Sequence, residues 1–219
     1  MITHLARMIE PMPGDAPGAS ADGHPMRAVT RSAAFEPGWW NDARRIEVAA
    51  FFDALAPEWS SRDVPGREAP LLDALDRGLS AAPRPPSPRL TCIDVGGGTG
   101  LAARVLADHF SQVITLDIAF EMLRHAPAGM PGLVQADASR LPVADGSVDA
   151  ISLSNAFLFP DEVARALAPH GVIIWVNSRG PQTPIHLPAD DVAAAMGPGW
   201  AGVASEAGWG TWAAVWRLS

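Results

Sequence analysis

Residues 91–100 read Thr-Cys-Ile-Asp-Val-Gly-Gly-Gly-Thr-Gly. Thr91, Cys92, Ile93 and Val95 are β-branched or apolar, as a central strand of a parallel sheet requires. Gly96, Gly98 and Gly100 carry no Cβ, so the backbone can turn sharply and a ligand can lie against it. Residues 101–110 then place Leu101, Val105, Leu106 and Phe110 at helical spacing. A helix starting there would aim its unpaired N–H groups at whatever sits over the turn. Three nucleotide-binding readings compete. A Walker loop needs Gly-Lys-Ser/Thr, and the chain has no lysine. A dinucleotide fingerprint can be started at Gly98 and run through Gly100 and Ala103. An Asp-x-Gly-x-Gly-x-Gly reading runs from Asp94 to Gly100.

Beyond this stretch the pattern alternates strand and helix, which predicts a mostly parallel sheet with helices on both faces. Strands are expected at 90–95, 112–116, 132–136, 150–154 and 171–176, and helices at 100–110, 120–125, 161–167 and 190–196. Two further β-like pieces, 201–205 and 211–217, flank Gly208-Trp209-Gly210 and predict a closing hairpin. Each of the first three strands ends in an acid: Asp94, Asp117 and Asp137. Ligands of such sheets bind at the carboxyl ends of the strands, at the switch in strand order. Asp117 lies about twenty positions beyond the turn, where a ribose-binding acid is expected, and that spacing would serve a nicotinamide cofactor equally well.

Two motifs carry a resemblance. Asp94 to Gly100 resembles motif I of the class I S-adenosylmethionine (SAM) dependent methyltransferases. Residues 137–149, Asp-Ala-Ser-Arg-Leu-Pro-Val-Ala-Asp-Gly-Ser-Val-Asp, resemble that family's D-a-x-x-L-P-F-x-D-x-S-F-D pattern, with Val143 and Val148 in place of the usual Phe. The likeness points to the small-molecule, ubiquinone-biosynthesis-like type 11 branch. It covers residues 90–178 well, 50–62 loosely and 1–36 not at all. It implies a Rossmann-like, doubly wound α/β fold with a mostly parallel seven-stranded sheet, a C-terminal antiparallel hairpin and an N-terminal helical lid. It implies SAM as cofactor. By the same likeness Asp117 would take the ribose hydroxyls, Asp137 the adenine amine and Asp94 the methionine ammonium. Gly96, Gly98 and Gly100 would let the backbone approach the cofactor. Ile118 and Met122 would flank adenine or ribose, Ala138 would offer its N–H, and Ser154, at the end of the fourth core strand, would also bind the cofactor. Many family members carry a His pair after that strand, whereas this chain has Asn155-Ala156-Phe157-Leu158-Phe159.

The remaining chain is read around that core. Residues 1–36, rich in Pro, Gly, Ala and Ser over 11–34, are expected to be a disordered tail. Residues 37–89 are expected to form a helical lid, with helices over 43–55 and 70–79, and a proline-rich linker. Residues 90–219 would be the SAM-binding core. Trp39, Trp40 and Trp59 are candidates for the acceptor pocket. Arg62 joins them and could also meet the cofactor carboxylate. His186 is the candidate base, because it follows the carboxyl end of the 171–176 strand.

Composition narrows the partners. The formal net charge of −8 argues against a nucleic-acid backbone. The single cysteine, Cys92, excludes an internal disulfide and CxxC-type zinc sites, and no metal is expected. The N-terminus lacks a signal-peptide pattern and no apolar run is long enough to span a membrane, so a cytoplasmic protein is expected. The reading is a monomeric or homodimeric enzyme that methylates a small organic molecule. Its rivals are a SAM-binding regulatory protein without turnover and a protein or RNA methyltransferase.

Overall fold

The computed structural model describes residues 1–12, 21, 23–82, 90–130 and 132–218. The N-terminal part contains β1 (Ile2–His4), α1 (Pro25–Phe35), α2 (Asp42–Leu55) and a 3-10 segment (Ala56–Arg62). It continues through α3 (Ala69–Asp73), a π turn (Ala74–Gly78) and α4 (Leu79–Ala81). The core then runs β2 (Thr91–Val95), α5 (Leu101–Leu106), β3 (Gln112–Asp117), α6 (Phe120–Arg124) and β4 (Leu133–Gln135). It ends with β5 (Val148–Ser154), α7 (Pro160–Ala166), β6 (Leu167–Asn177), α8 (Ala189–Met196), β7 (Trp200–Ala207) and β8 (Gly210–Arg217).

The strands form one sheet in the order β1-β7-β8-β6-β5-β2-β3-β4. Only β8 runs antiparallel, to both β6 and β7. From β2 the chain steps outward to β3 and β4, then returns to β5 on the other side of β2. The order therefore reverses between β2 and β5, where Cys92–Val95 pair with Ala150–Leu153. That is the doubly wound arrangement, and its crevice lies above the carboxyl ends of β2 and β5.

Strand alternation divides the core. Ile93 and Val95 pack on one side with Leu116, Leu153 and Val192, while Cys92 packs on the other with Leu75, Leu106, Ile174 and Trp212. Both faces are covered, which is why β2 reads as a nearly continuous apolar run. One buried polar row interrupts it. Asp94 stands in register with Thr115 of β3 and Ser152 of β5. All three side chains are fully buried, and none has a hydrogen-bond partner among the described residues.

The sheet has eight strands, one more than expected, and the extra one comes from the segment read as a tail. Ile2–His4 pairs in parallel with Gly202–Ala204, Ile2 is buried, and Arg7 makes an ion pair with Glu206. Adding this strand satisfies the backbone edge that β7 would otherwise expose. A second correction is α1. The His24 ring accepts a hydrogen bond from the Met26 N–H, Pro25 opens the helix, and Thr30 and Ala34 are buried. Pro at the first helical position costs nothing, because its missing N–H would be unpaired there anyway. Residues 13–20 and 22 of the expected tail, and 83–89 of the expected linker, lie outside the described residues. Deleting residues 1–12 is expected to cost about 1.5–3 kcal/mol from the loss of buried Ile2. That lowers the melting temperature by roughly 3–12 °C, measurable by scanning calorimetry.

Candidate active site

The β2–α5 turn sets the floor of the site. Gly96, Gly98 and Gly100 all have positive φ, at 63°, 57° and 80°. A Cβ on Gly98 would find only the edges of Trp59, Met122 and Asp117, at 3.7–3.9 Å, so this glycine leaves an open cradle. Gly97 has a different reason to be glycine. A Cβ there would collide with the Asp94 carboxylate and Thr115. The turn therefore closes directly over Asp94.

A cavity of about 520 Å³ lies above this turn. Such a volume is typical of small-molecule sites. Asp117 lines it and accepts hydrogen bonds from the Gly98 N–H at 2.9 Å and the Ala119 N–H at 2.8 Å. Each carboxylate oxygen keeps a lone pair free for a ligand. Asp137 lines the same cavity, held by the Ser139 N–H at 2.8 Å. The Trp40 indole N–H lies 3.1 Å from both Asp137 oxygens and donates to them. Trp40 also packs against Phe157 and Phe159, with ring centroids 6.0 and 5.1 Å apart. Gly96, Gly98, Ile118, Met122, Ala138 and Ser154 complete the expected set that faces this cavity. Among the described residues the buried Ser154 hydroxyl has no hydrogen-bond partner.

Several expectations are corrected. Asp94 does not line the cavity, because strand register buries it beneath Gly97, beside Thr115 and Ser152. Gly100 does not line it either and serves as the left-handed N-cap of α5. His186 faces away. Its neighbours Ile185 and Leu187 are buried, whereas its Nδ1 accepts from Arg27 Nη1 at 2.8 Å. Trp39 does not line this cavity and is covered by the Arg44 guanidinium, 4.9 Å from its ring. Trp40 is in the cavity, at the Asp137 end. Trp59 is there too, beside Gly98 and edge-on to Phe52 at 6.1 Å. Arg62 lines an adjoining chamber of about 410 Å³.

Residues that no motif singled out also converge here. Asn155 has φ of 54°, in the left-handed region that Asn tolerates better than most residues. Its side chain donates to Ser178 Oγ at 3.0 Å and accepts from the Ser178 N–H at 2.9 Å, tying the ends of β5 and β6 together. Asn155, Ser178 and Arg67 line both chambers.

Burial governs the charges of this floor. Burial, reinforced by the negative charge of Asp117, pushes the Asp94 carboxyl up to about 7. Burial pushes Asp117 up to about 6, against the opposing pull of its backbone N–H donors. With folded values above the unfolded ones, the native protein holds more protons than the unfolded chain between about pH 4 and 7. Stability of the ligand-free protein is therefore expected to fall as pH rises through that window. Affinity for a ligand whose hydroxyls need ionised Asp117 should move the opposite way, weakening about tenfold between pH 7.5 and 5. Melting curves and titration calorimetry with S-adenosylhomocysteine at the two pH values check both signs.

Fold and floor together define a doubly wound α/β domain with a cavity over the switch point of its sheet. Residues 93–174 match the family described as a methyltransferase domain. A demethylmenaquinone methyltransferase of Renibacterium salmoninarum is 33% identical over 138 residues, covering 58% of this chain and 54% of the relative. A malonyl-[acyl-carrier protein] O-methyltransferase of Methylococcus capsulatus is 38% identical over 91 residues, covering 38% of this chain and 32% of the relative. The chain thus spans about half or less of the length of these curated relatives. The crystal structure of a SAM-dependent methyltransferase from Aquifex aeolicus superposes with a TM-score of 0.56 at 19% identity, over 73% of this chain and 97% of that one. Residues 93–174 thus match a methyltransferase domain, and these likenesses support SAM as the cofactor. No helix among the described residues is long and apolar enough to cross a membrane.

Proposed function

We propose that this protein transfers the methyl group of SAM to a small organic acceptor. The observation that carries the reading is the pairing of Asp117 with the open Gly98 cradle at the switch point, beneath a cavity that adjoins a second, mostly apolar chamber. Asp117 would hold the ribose hydroxyls, since a carboxylate offers two acceptor oxygens to two donors. Asp137, oriented by Trp40, would take the adenine amine. Ile118, Met122 and Ala138 would border the purine or ribose, and Ser154 would meet the methionine end. Bound SAM supplies an electrophilic methyl on a sulfonium. The chain's own task is orientation and exclusion of water. Trp59 and Phe52 line both chambers, and the acceptor would lie against them in line with the departing sulfur. Alignment of that kind supplies as much as about 7–11 kcal/mol of rate enhancement.

With His186 turned toward Arg27, the expected base is missing from the cavity. That favours acceptors whose nucleophile is already ionised or carries a free lone pair, which need no proton removed by the enzyme. Transfer of labelled methyl from SAM to a panel of phenols, amines and carboxylic acids tests the proposal. Product formation supports it. Tight S-adenosylhomocysteine binding without transfer to any member would favour a binding protein instead. The demethylmenaquinone and malonyl-carrier names of the relatives place quinols and acyl carboxylates first on that panel.

A further inference from the structure

The adjoining chamber of about 410 Å³ is lined by apolar groups, among them Met26, Phe52, Leu55, Trp59 and Ile185. Three guanidinium groups also border it: Arg62, Arg67 and Arg179. None of the three makes an ion pair among the described residues. In a chain of net charge −8, three guanidinium groups around one apolar chamber, without an ion pair among the described residues, run against the average composition. Asp63, the acid whose field reaches Arg67, is already engaged by Arg104 at 2.8 Å.

Each arginine is held in place without being neutralised. Arg62 lies over the Trp59 ring, 4.4 Å from its centroid. Arg67 donates to the Arg62 carbonyl at 2.8 Å. The Arg179 backbone N–H donates to Thr183 Oγ1 at 3.1 Å, which anchors the segment from which its exposed side chain projects. Burial of Arg67, with Arg179 and Arg62 adding repulsion, draws its guanidinium below the ordinary arginine value. Like charges left facing one another cost energy that a bound anion returns. Guanidinium groups are suited to this because their forked donors match a planar carboxylate.

We propose that Arg62, Arg67 and Arg179 form the mouth of the acceptor chamber and select molecules that carry a carboxylate at one end of an apolar body. This rests on the methyltransferase reading for the identity of the chamber. The carboxylate docks on the arginines and the apolar body extends past Trp59 and Phe52 toward the cofactor cavity.

The test uses 3-phenylpropanoate and its neutral amide, titrated into full-length protein saturated with S-adenosylhomocysteine. The carboxylate should bind at least tenfold more tightly than the amide. Arg62→Gln and Arg179→Gln, at positions that border only the second chamber, should erase that preference while leaving S-adenosylhomocysteine affinity within twofold and the melting temperature within a few degrees. Equal affinity for the two compounds, or no binding of the carboxylate, would overturn the proposal. So would a large loss of S-adenosylhomocysteine affinity in the arginine variants, which would assign these groups to the cofactor's own carboxylate. Failure of the wild-type protein to bind S-adenosylhomocysteine would sink the methyltransferase reading instead. The same titrations without it would then still report on the arginines.

Discussion

Replacing Asp117 with alanine is expected to raise the dissociation constant for S-adenosylhomocysteine roughly a hundredfold or more. Hydrogen bonds to a charged partner are worth about 1.5–3 kcal/mol each, and two ribose hydroxyls would share this carboxylate. The substitution also strips the Gly98 and Ala119 N–H groups of their acceptor, so the turn itself loosens. Asp117→Asn separates the two effects. Its amide oxygen can still receive one backbone N–H, so the turn should keep much of its order while affinity drops by an intermediate amount. Calorimetry at pH 8, where Asp117 is ionised, is the appropriate measurement, given a carboxyl raised only to about 6. Unchanged affinity in Asp117→Ala would remove this residue from the cofactor site.

Gly98→Val should abolish measurable cofactor binding by a different route. The backbone there has φ of 57°, which a β-branched residue adopts only under strain. Its side chain would also occupy the cradle, against Trp59, Met122 and Asp117. The strain costs about 1–2 kcal/mol, so the protein should still fold with a modestly lower melting temperature. The loss of ligand binding should be far larger, beyond a hundredfold, because the floor is filled rather than weakened. A variant that folds and still binds S-adenosylhomocysteine normally would show that the ligand does not approach this turn.

The parts of this site that were legible in the sequence are local ones. A strand that ends in an acid and a turn that needs glycine are written in consecutive residues. Thus β2, the turn, β3 and Asp117 could be placed from spacing alone. The fate of Asp94 could not. Its neighbours Thr115 and Ser152 belong to other strands, and only lateral register shows that the three form a buried row beneath Gly97. His186 was misplaced by a question of side. It does lie beyond β6, at the correct end of the sheet, but its neighbours Ile185 and Leu187 turn inward and it turns out toward Arg27. The pairing of Trp40 with Asp137 joins residues 97 positions apart, which no local pattern encodes. In α1 the signal was present, as Pro25 followed by Met26, Ala28 and Val29, but the surrounding Pro, Gly and Ser content masked it. Arg67 carried no signal at all. An isolated arginine reads as a surface charge until the fold brings Arg62 and Arg179 to the same chamber.

A crystal structure of the protein with S-adenosylhomocysteine bound is the most direct test of the account. Both ribose hydroxyls should lie within hydrogen-bonding distance of Asp117, with adenine near Asp137 and Trp40 and the sulfur directed toward Trp59 and Phe52. Ligand density away from the Gly98 turn, or a ribose that makes no contact with Asp117, would contradict it.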